Sequence, residues 1–392
     1  MNETSDTAFS LLIGGPCYRL LERMGLLGRD LLPQWRAALI LVTLAWLPGA
    51  ILATLQGVGW NSNLKLGGYF ADYSLYARFI IAVACLVIME GIAERRISMM
   101  IAQLRDADLL TDSDRPTFHG LLVQADQRTS STAGELVFLV VAYVISFSAM
   151  AVHLATFEDS WFGYSLDGVR VLSWAGWWTV LVSLPLFWFL VLRWFWRLIV
   201  WSVLLHGVSK LQLRLVATHP DQCGGIGFLA MFPVTFSLLV FAISCVTASV
   251  VLQEMLHASL SLEMVGALFA VWFLLMLMTF IAPLTVFTPL LMRLKVSALL
   301  EYGKLATTHN LAFEQRWIRT ARPLPDLLGT PDISSLSDLG ACYEAVRAMN
   351  TIPVYFLVFR QLLLAAGLPW LVIPLTQFPL LELLAIVSKA IF

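Results

Sequence analysis

The chain has 392 residues, 59% hydrophobic and only 13% charged, with a formal net charge of −1. Soluble globular proteins carry about a quarter charged residues, so this chain has too few polar groups to cover a core in water. The near-zero charge balance also excludes the basic face that nucleic acid requires. Several apolar runs of ~20 residues match the hydrocarbon thickness of a bilayer. The composition therefore reads as an all-α, polytopic membrane protein of about seven membrane helices, with lipid as its first partner.

The N-terminal "MNETSDTAFS" is acidic and lacks the basic start of a signal peptide, so the first span is expected to remain in the mature protein. Seven spans follow, near residues 37–58, 74–93, 135–156, 174–197, 226–252, 262–291 and 361–377. Pro48, Pro185, Pro233, Pro283 and Pro289 interrupt spans one, four, five and six, and Pro369 and Pro374 interrupt the seventh. Proline is tolerated in membrane helices where neighbours satisfy the freed carbonyls. Span four opens with Trp174, Trp177 and Trp178 and meets Arg193, Trp194, Trp196 and Arg197 ~30 Å later, which reads as two interfacial belts. Its apolar pattern continues through "LIVWSVLLHGVSKLQLRLV". Span six continues with a stripe of Leu299, Leu300, Leu305, Leu311, Phe313 and Trp317. Both helices are expected to extend beyond the bilayer and pack there. The layout is an amphipathic segment over 1–36, six spans with extensions over 37–292, a helical anchor region over 293–352, and a last span with an amphipathic tail over 353–392. There is no internal or inverted repeat of the kind many transporters show.

Loop charges alternate. Eighteen Lys and Arg residues precede span one or lie between spans two and three, four and five, and six and seven, against Lys65, Arg170 and Lys389 on the other side. The positive-inside rule puts the N-terminus in the cytoplasm and, after seven crossings, the C-terminus outside, in a cell (inner) membrane.

The polar stretch "ATHPDQCGGIGF", residues 217–228, falls in the turn between spans four and five. Pro220 is expected to stop the extended helix, Asp221 to cap the next one, and Gly224 and Gly225 to permit positive φ. An alternative is a ligand or ion site at the inner mouth, built from His219, Asp221, Gly224 and Gly225. The tripeptide His219-Pro220-Asp221 matches the J-domain signature, but there it joins two soluble helices and here a membrane span follows. Arg193 and Arg197, four apart, read as interfacial cations that snorkel to headgroups, the alternative being an anion or lipid site. Arg78 is a similar case. Glu90, Glu94, Arg95 and Arg96 are expected to pair among themselves or with a neighbouring helix, and His153 to make an interhelical contact. Cys17, Cys85, Cys223, Cys245 and Cys342 form no CxxC pair, so no disulfide framework or metal site is expected. No HExxH, GxSxG or Walker loop is present; the reading is not an enzyme, and no cofactor is called for.

The segments "SLPLFWFLVLRWFWRLIVW", "LRLVATHPDQCGGIGFL" and "DISSLSDLGACYEAVRAM" resemble a family of uncharacterised bacterial integral membrane proteins. The seven-span topology, with long inner ends on helices four to six, also resembles that of the insect odorant and gustatory receptors. In those channels the inner ends form an anchor and the last helix lines a tetrameric pore. Their final-helix signature has its Tyr and Gln matched by Tyr355 and Gln361, while Val354 and Leu362 replace the Thr and Phe and Arg360 enters the apolar stretch. What the resemblance implies is a homo-oligomeric channel with the last span at the pore, where Arg360, Gln361, Thr376 and Gln377 are the polar candidates. The outer loops hold Asp72, Glu158, Asp159, Asp167, Glu254 and Glu263 against Lys65 and Arg170, an acidic vestibule that would concentrate cations. The expected function is thus a cation-permeable channel. The alternatives are a secondary transporter of a small solute, or a non-transporting scaffold or sensor.

Overall fold

The computed structural model describes residues 31–60, 68–156, 160–166, 169–258, 260–319 and 331–376. Seven of its helices are long and apolar enough to cross a membrane; the chain is an all-α, multi-pass membrane protein. In order the helices are α1 (Leu31–Leu55), α2 (Tyr73–Asp106), α3 (Arg115–Thr129), α4 (Thr132–Thr156), α5 (Trp174–Val208) and α6 (Ser237–Ala258), then α7 (Leu262–Ile281), α8 (Thr288–Phe313), α9 (Pro331–Ala348) and α10 (Phe356–Trp370). The spans are α1, α2, α4, α5, α6, α7 and α10. The end of the bundle where α1 begins is called proximal here, and the other distal.

The outward faces explain why these helices belong in lipid. Helix α4 exposes Leu136, Val137, Val140, Val144 and Val152, and α7 exposes Met264, Val271, Leu274, Leu275 and Met278. Continuous apolar surface of this extent is not sustained in water. The inward faces make one core, with an aromatic chain at its centre. Trp201 stacks on Phe232 at 5.6 Å, Phe232 meets Phe236 at 4.9 Å, and Phe236 meets both Phe280 and Trp194. Trp194 is therefore a core residue (1% exposed) and not part of a headgroup belt, whereas Trp174 and Trp177 are exposed.

Carbonyls freed by prolines find specific partners, as a low-dielectric surrounding demands. Pro48 in α1 leaves the carbonyl of Leu44 without its helical donor, and Trp178 Nε1 donates to it at 3.2 Å. The neighbouring carbonyls of Ala45 and Trp46 accept from Ser183 Oγ and Tyr69 Oη. Pro185 in α5 leaves the carbonyl of Leu181, which accepts from Tyr143 Oη of α4 at 3.1 Å. Just before Pro185, residues Thr179–Ser183 form a π-helical turn, and a second π-helical turn, Tyr76–Ala82, lies in α2.

Three features add to or correct the sequence expectation. Helix α5 stops at Val208 and does not run on to Pro220. The next stretch, "LQLRL" over 211–215, alternates apolar and polar with period two, and it lies extended: Leu213 bridges Leu110, and Arg214 N donates to the carbonyl of Leu109 at 2.8 Å. The distal loop holds an antiparallel hairpin, β1 (Gly163–Leu166) with β2 (Val169–Leu172), joined in sequence by Asp167-Gly168, a strong two-residue hairpin signal. Finally, the boundary expected at 292/293 falls inside α8. Helix α7, a 3-10 turn over Ala282–Phe287 and α8 run as one rod of 57 residues to Ile318. Such a rod is ~85 Å long, far more than a bilayer needs.

Candidate functional site

The chemistry-bearing groups gather at three places: a charge network, a turn and a cavity. The network begins with Arg193 and Arg197, one turn apart on α5. Both point into the bundle, with side chains 6% and 4% exposed. Glu90 of α2 receives both guanidinium groups on one oxygen, at 3.1 Å from Arg193 and 3.0 Å from Arg197. Glu135 of α4 stands 3.7 Å from Arg193 Nε, and the Arg197 guanidinium lies 4.7 Å from the Trp194 ring centre. Two cations meet two carboxylates and the local charge cancels. The snorkelling expectation is thereby corrected. The groups sit ~25–35 Å along α2 and α5 from their distal starts, where headgroups are within reach, but carboxylates from two neighbouring helices hold the arginines inside. Spacing four apart showed that the arginines share a face; it carried no information on which face. Ionisable groups held at this depth are costly unless paired, and here they clamp α2, α4 and α5 together.

The turn is built around Asp221. Its carboxylate accepts backbone N–H groups from Cys223 at 2.8 Å, Gly225 at 3.1 Å and Gly227 at 2.8 Å, and the imidazole Nδ1 of His219 lies 2.8 Å away. Wrapping three amides around one carboxylate demands left-handed backbone: Gln222 has φ +54°, Gly224 +68° and Gly225 +101°. Burial pushes the Asp221 carboxyl up, but the three amides and His219 outweigh it and hold it below the ordinary carboxylate range. Gly227 is tight as well, since a Cβ there would collide with Tyr355 Oη. The turn docks on the segment before α10: Tyr355 Oη donates to the carbonyl of Asp221, Asn350 N to that of Gln222, each at 2.7 Å, and Lys295 Nζ of α8 to that of Met349 at 2.6 Å. The candidate set His219, Asp221, Gly224 and Gly225 is thus brought together, with every Asp221 contact spent on the protein's own groups.

The last-span candidates are spread along α10. Arg360 is exposed near its proximal end, Thr376 is exposed beyond its distal end, and Gln361 is turned half-inward, its Oε1 without a hydrogen-bond partner. Between them the open face is apolar, with Leu363, Leu364, Leu368 and Leu371. Gln377 lies outside the described residues.

Sequence reasoning missed a cavity of about 520 Å³ between the distal ends of α2, α4, α5 and α6. Arg78, His153, Thr179, Trp188, Gln253 and Glu254 are among its lining residues. Each π-helical turn contributes one, Arg78 in α2 and Thr179 in α5. These six residues from four helices converge here only through tertiary packing, although Arg78 inside an apolar span was a visible signal. His153 Nε2 contacts Ser160 Oγ at 3.2 Å. Among the described residues no group of three or more His, Cys, Asp or Glu is placed to hold a metal ion.

Two variants test these arrangements. Arg197→Met leaves the Glu90–Arg193–Glu135 group with an uncompensated buried charge and is expected to destabilise the protein by about 3–5 kcal/mol. Its thermal unfolding in detergent should fall far below wild type; an unchanged midpoint contradicts the network. Asp221→Asn removes charge from the turn and is expected to destabilise by about 1–3 kcal/mol. The Asp221 pKa is depressed on folding, so its contribution is complete above the ordinary carboxylate value of ~3.9 and is lost as pH falls through the lowered one. The gap between wild type and Asp221→Asn should therefore be constant near neutrality and close at acid pH. A gap unchanged down to acid unfolding would mean the carboxylate charge plays no part.

No protein-family model matches the chain, and neither a curated protein nor a solved structure matches it significantly in sequence or fold.

Proposed function

We propose that the protein is a homo-oligomeric ion channel of a cell membrane, with the proximal end in the cytoplasm and α10 lining a pore on the symmetry axis. The observation that carries the proposal is the α8–α9 arm. The α7–α8 rod is longer than a bilayer needs, so the arm is taken to project beyond it, leaving Leu300 72%, Leu305 55%, Leu311 52% and Ile318 70% exposed. Lipid cannot cover this stripe, because charged residues such as Arg293, Lys295 and Lys304 share its helix, and water does not favour it. Copies of the same arm can bury it against one another. The linker 349–355 is short and pinned to the Asp221 turn and to α8, so an assembly through the arms brings α10 beneath them. The apolar α10 face with Arg360 at one mouth and Thr376 at the other has the form of a hydrophobic constriction, which gates by dewetting. Among the described residues, support for cation preference rests on the exposed Glu254 and Glu263, because Asp72 is buried and its carboxylate is taken by Ser74 and Trp161; Glu158, Asp159 and Asp167 lie outside the described residues.

A second reading, a secondary transporter, is favoured by one specific observation. The distal cavity lies between α2, α4 and α5, and the same three helices are clamped at the proximal end by the charge network, as one half of an alternating-access cycle would require.

Purified protein in planar bilayers separates the two. The channel reading predicts unitary current steps, and Arg360→Glu is expected to shift the reversal potential toward cations. Unaltered selectivity in a conducting Arg360→Glu channel would move the pore away from α10; saturable flux without unitary steps would favour the transporter. Orientation has its own check. Cysteine at Ser261 should react with an impermeant reagent added to intact cells and cysteine at Ser113 or Ser335 should not, with the reverse pattern inverting the protein.

A further inference from the structure

The distal cavity contains a cation, Arg78, that makes no hydrogen bond or ion pair with any described residue; the adjacent Phe79 ring lies 6.0 Å from the guanidinium carbon, and the Asp72 charge acts on it only from a distance. Asp72 is close in sequence but unavailable. One carboxylate oxygen accepts Ser74 N and Oγ at 2.9 and 2.6 Å, and the other accepts Trp161 Nε1 at 3.0 Å. Glu254 is an exposed residue of the lining. A second polar group of the lining also lacks a partner: Thr179 Oγ1, on a residue only 3% exposed, has none. Both residues lie in π-helical turns, a feature that recurs where helices are bent to serve a site. The remaining wall is largely apolar, with Leu75, Ile145, Leu184, Trp188 and Val250. A cavity of about 520 Å³ is of the size that encloses a small organic molecule.

We infer that this cavity binds a small amphipathic monocarboxylate, its carboxylate on Arg78 and Thr179 and its hydrocarbon body against the apolar wall. A guanidinium presents parallel N–H donors that a carboxylate accepts in pairs. Asp72 and Glu254 also line the cavity, which disfavours a dianion such as free phosphate more than a monoanion, and the largely apolar remainder of the wall suits a hydrocarbon body. The inference is independent of the pore, since it concerns one protomer and the opposite face of the bundle.

The test uses the full chain in nanodiscs of zwitterionic lipid, with radiolabelled benzoate and decanoate as probes and benzamide as the neutral competitor. Saturable binding of a carboxylate that benzamide does not displace is expected. Arg78→Gln should weaken it about 10- to 100-fold, Thr179→Val about 2- to 10-fold, and Arg78→Lys less than Arg78→Gln. If Arg78→Gln does not give monodisperse protein, Thr179→Val decides, and an unchanged affinity in that variant overturns the inference. Absence of saturable binding of both carboxylates in wild type overturns it as well, as does equal competition by benzamide. A parallel preparation in phosphatidylglycerol nanodiscs tests a lipid source: phosphatidylglycerol retained by wild type and lost from Arg78→Gln, with no carboxylate binding, would assign the cation to a headgroup phosphate instead.

Discussion

The contact between Asp221 and its own backbone governs how the two halves of the chain meet. A carboxylate that collects three amides forces the intervening residues into left-handed geometry, which is why two glycines occupy 224 and 225. The closed turn then presents its carbonyls outward, to Tyr355 and Asn350, and so anchors the start of α10. Loss of the carboxylate would free three buried amides and the two carbonyl contacts that depend on their position. The polar stretch is thus more than a helix stop; it is the joint on which the last helix hangs.

The remaining architecture follows from the low dielectric that surrounds it. The proline interruptions of α1 and α5 are answered by side chains from neighbours, as Trp178, Ser183 and Tyr143 show. Charges obey the same requirement at the proximal end, where Glu90 and Glu135 neutralise Arg193 and Arg197. At the distal end the requirement is met less fully among the described residues: Thr179 Oγ1 has no hydrogen-bond partner, and Arg78 has no ion pair, beside a cavity. That contrast separates groups that hold the bundle from groups left available to a ligand.

Much of this was legible in the sequence. All seven apolar runs are helices, because a run of that length and composition has few alternatives in lipid, and Gly224 and Gly225 do occupy positive φ. Helix α8 continues to Phe313 through the stripe of leucines that indicated a helix there. The misses have physical causes. The stretch at 211–215 was apolar enough to resemble more helix, but its period of two was the better signal and it is extended. The inward turn of Arg193 and Arg197 depends on carboxylates from two other helices, information that no local window contains. The cavity is a property of four helices together, and only its unpaired arginine was visible beforehand.

The central claim is that the chain works as a ring of identical copies joined through the α8–α9 arms. The most direct measurement is the mass of the purified protein in nanodiscs, taken before and after Leu305→Glu. The account predicts a closed assembly of three or more copies for wild type, since a pore at a symmetry axis needs at least that many helices, and dissociation when a charge enters the stripe. A monomeric wild-type particle, or an assembly indifferent to Leu305→Glu, would contradict it.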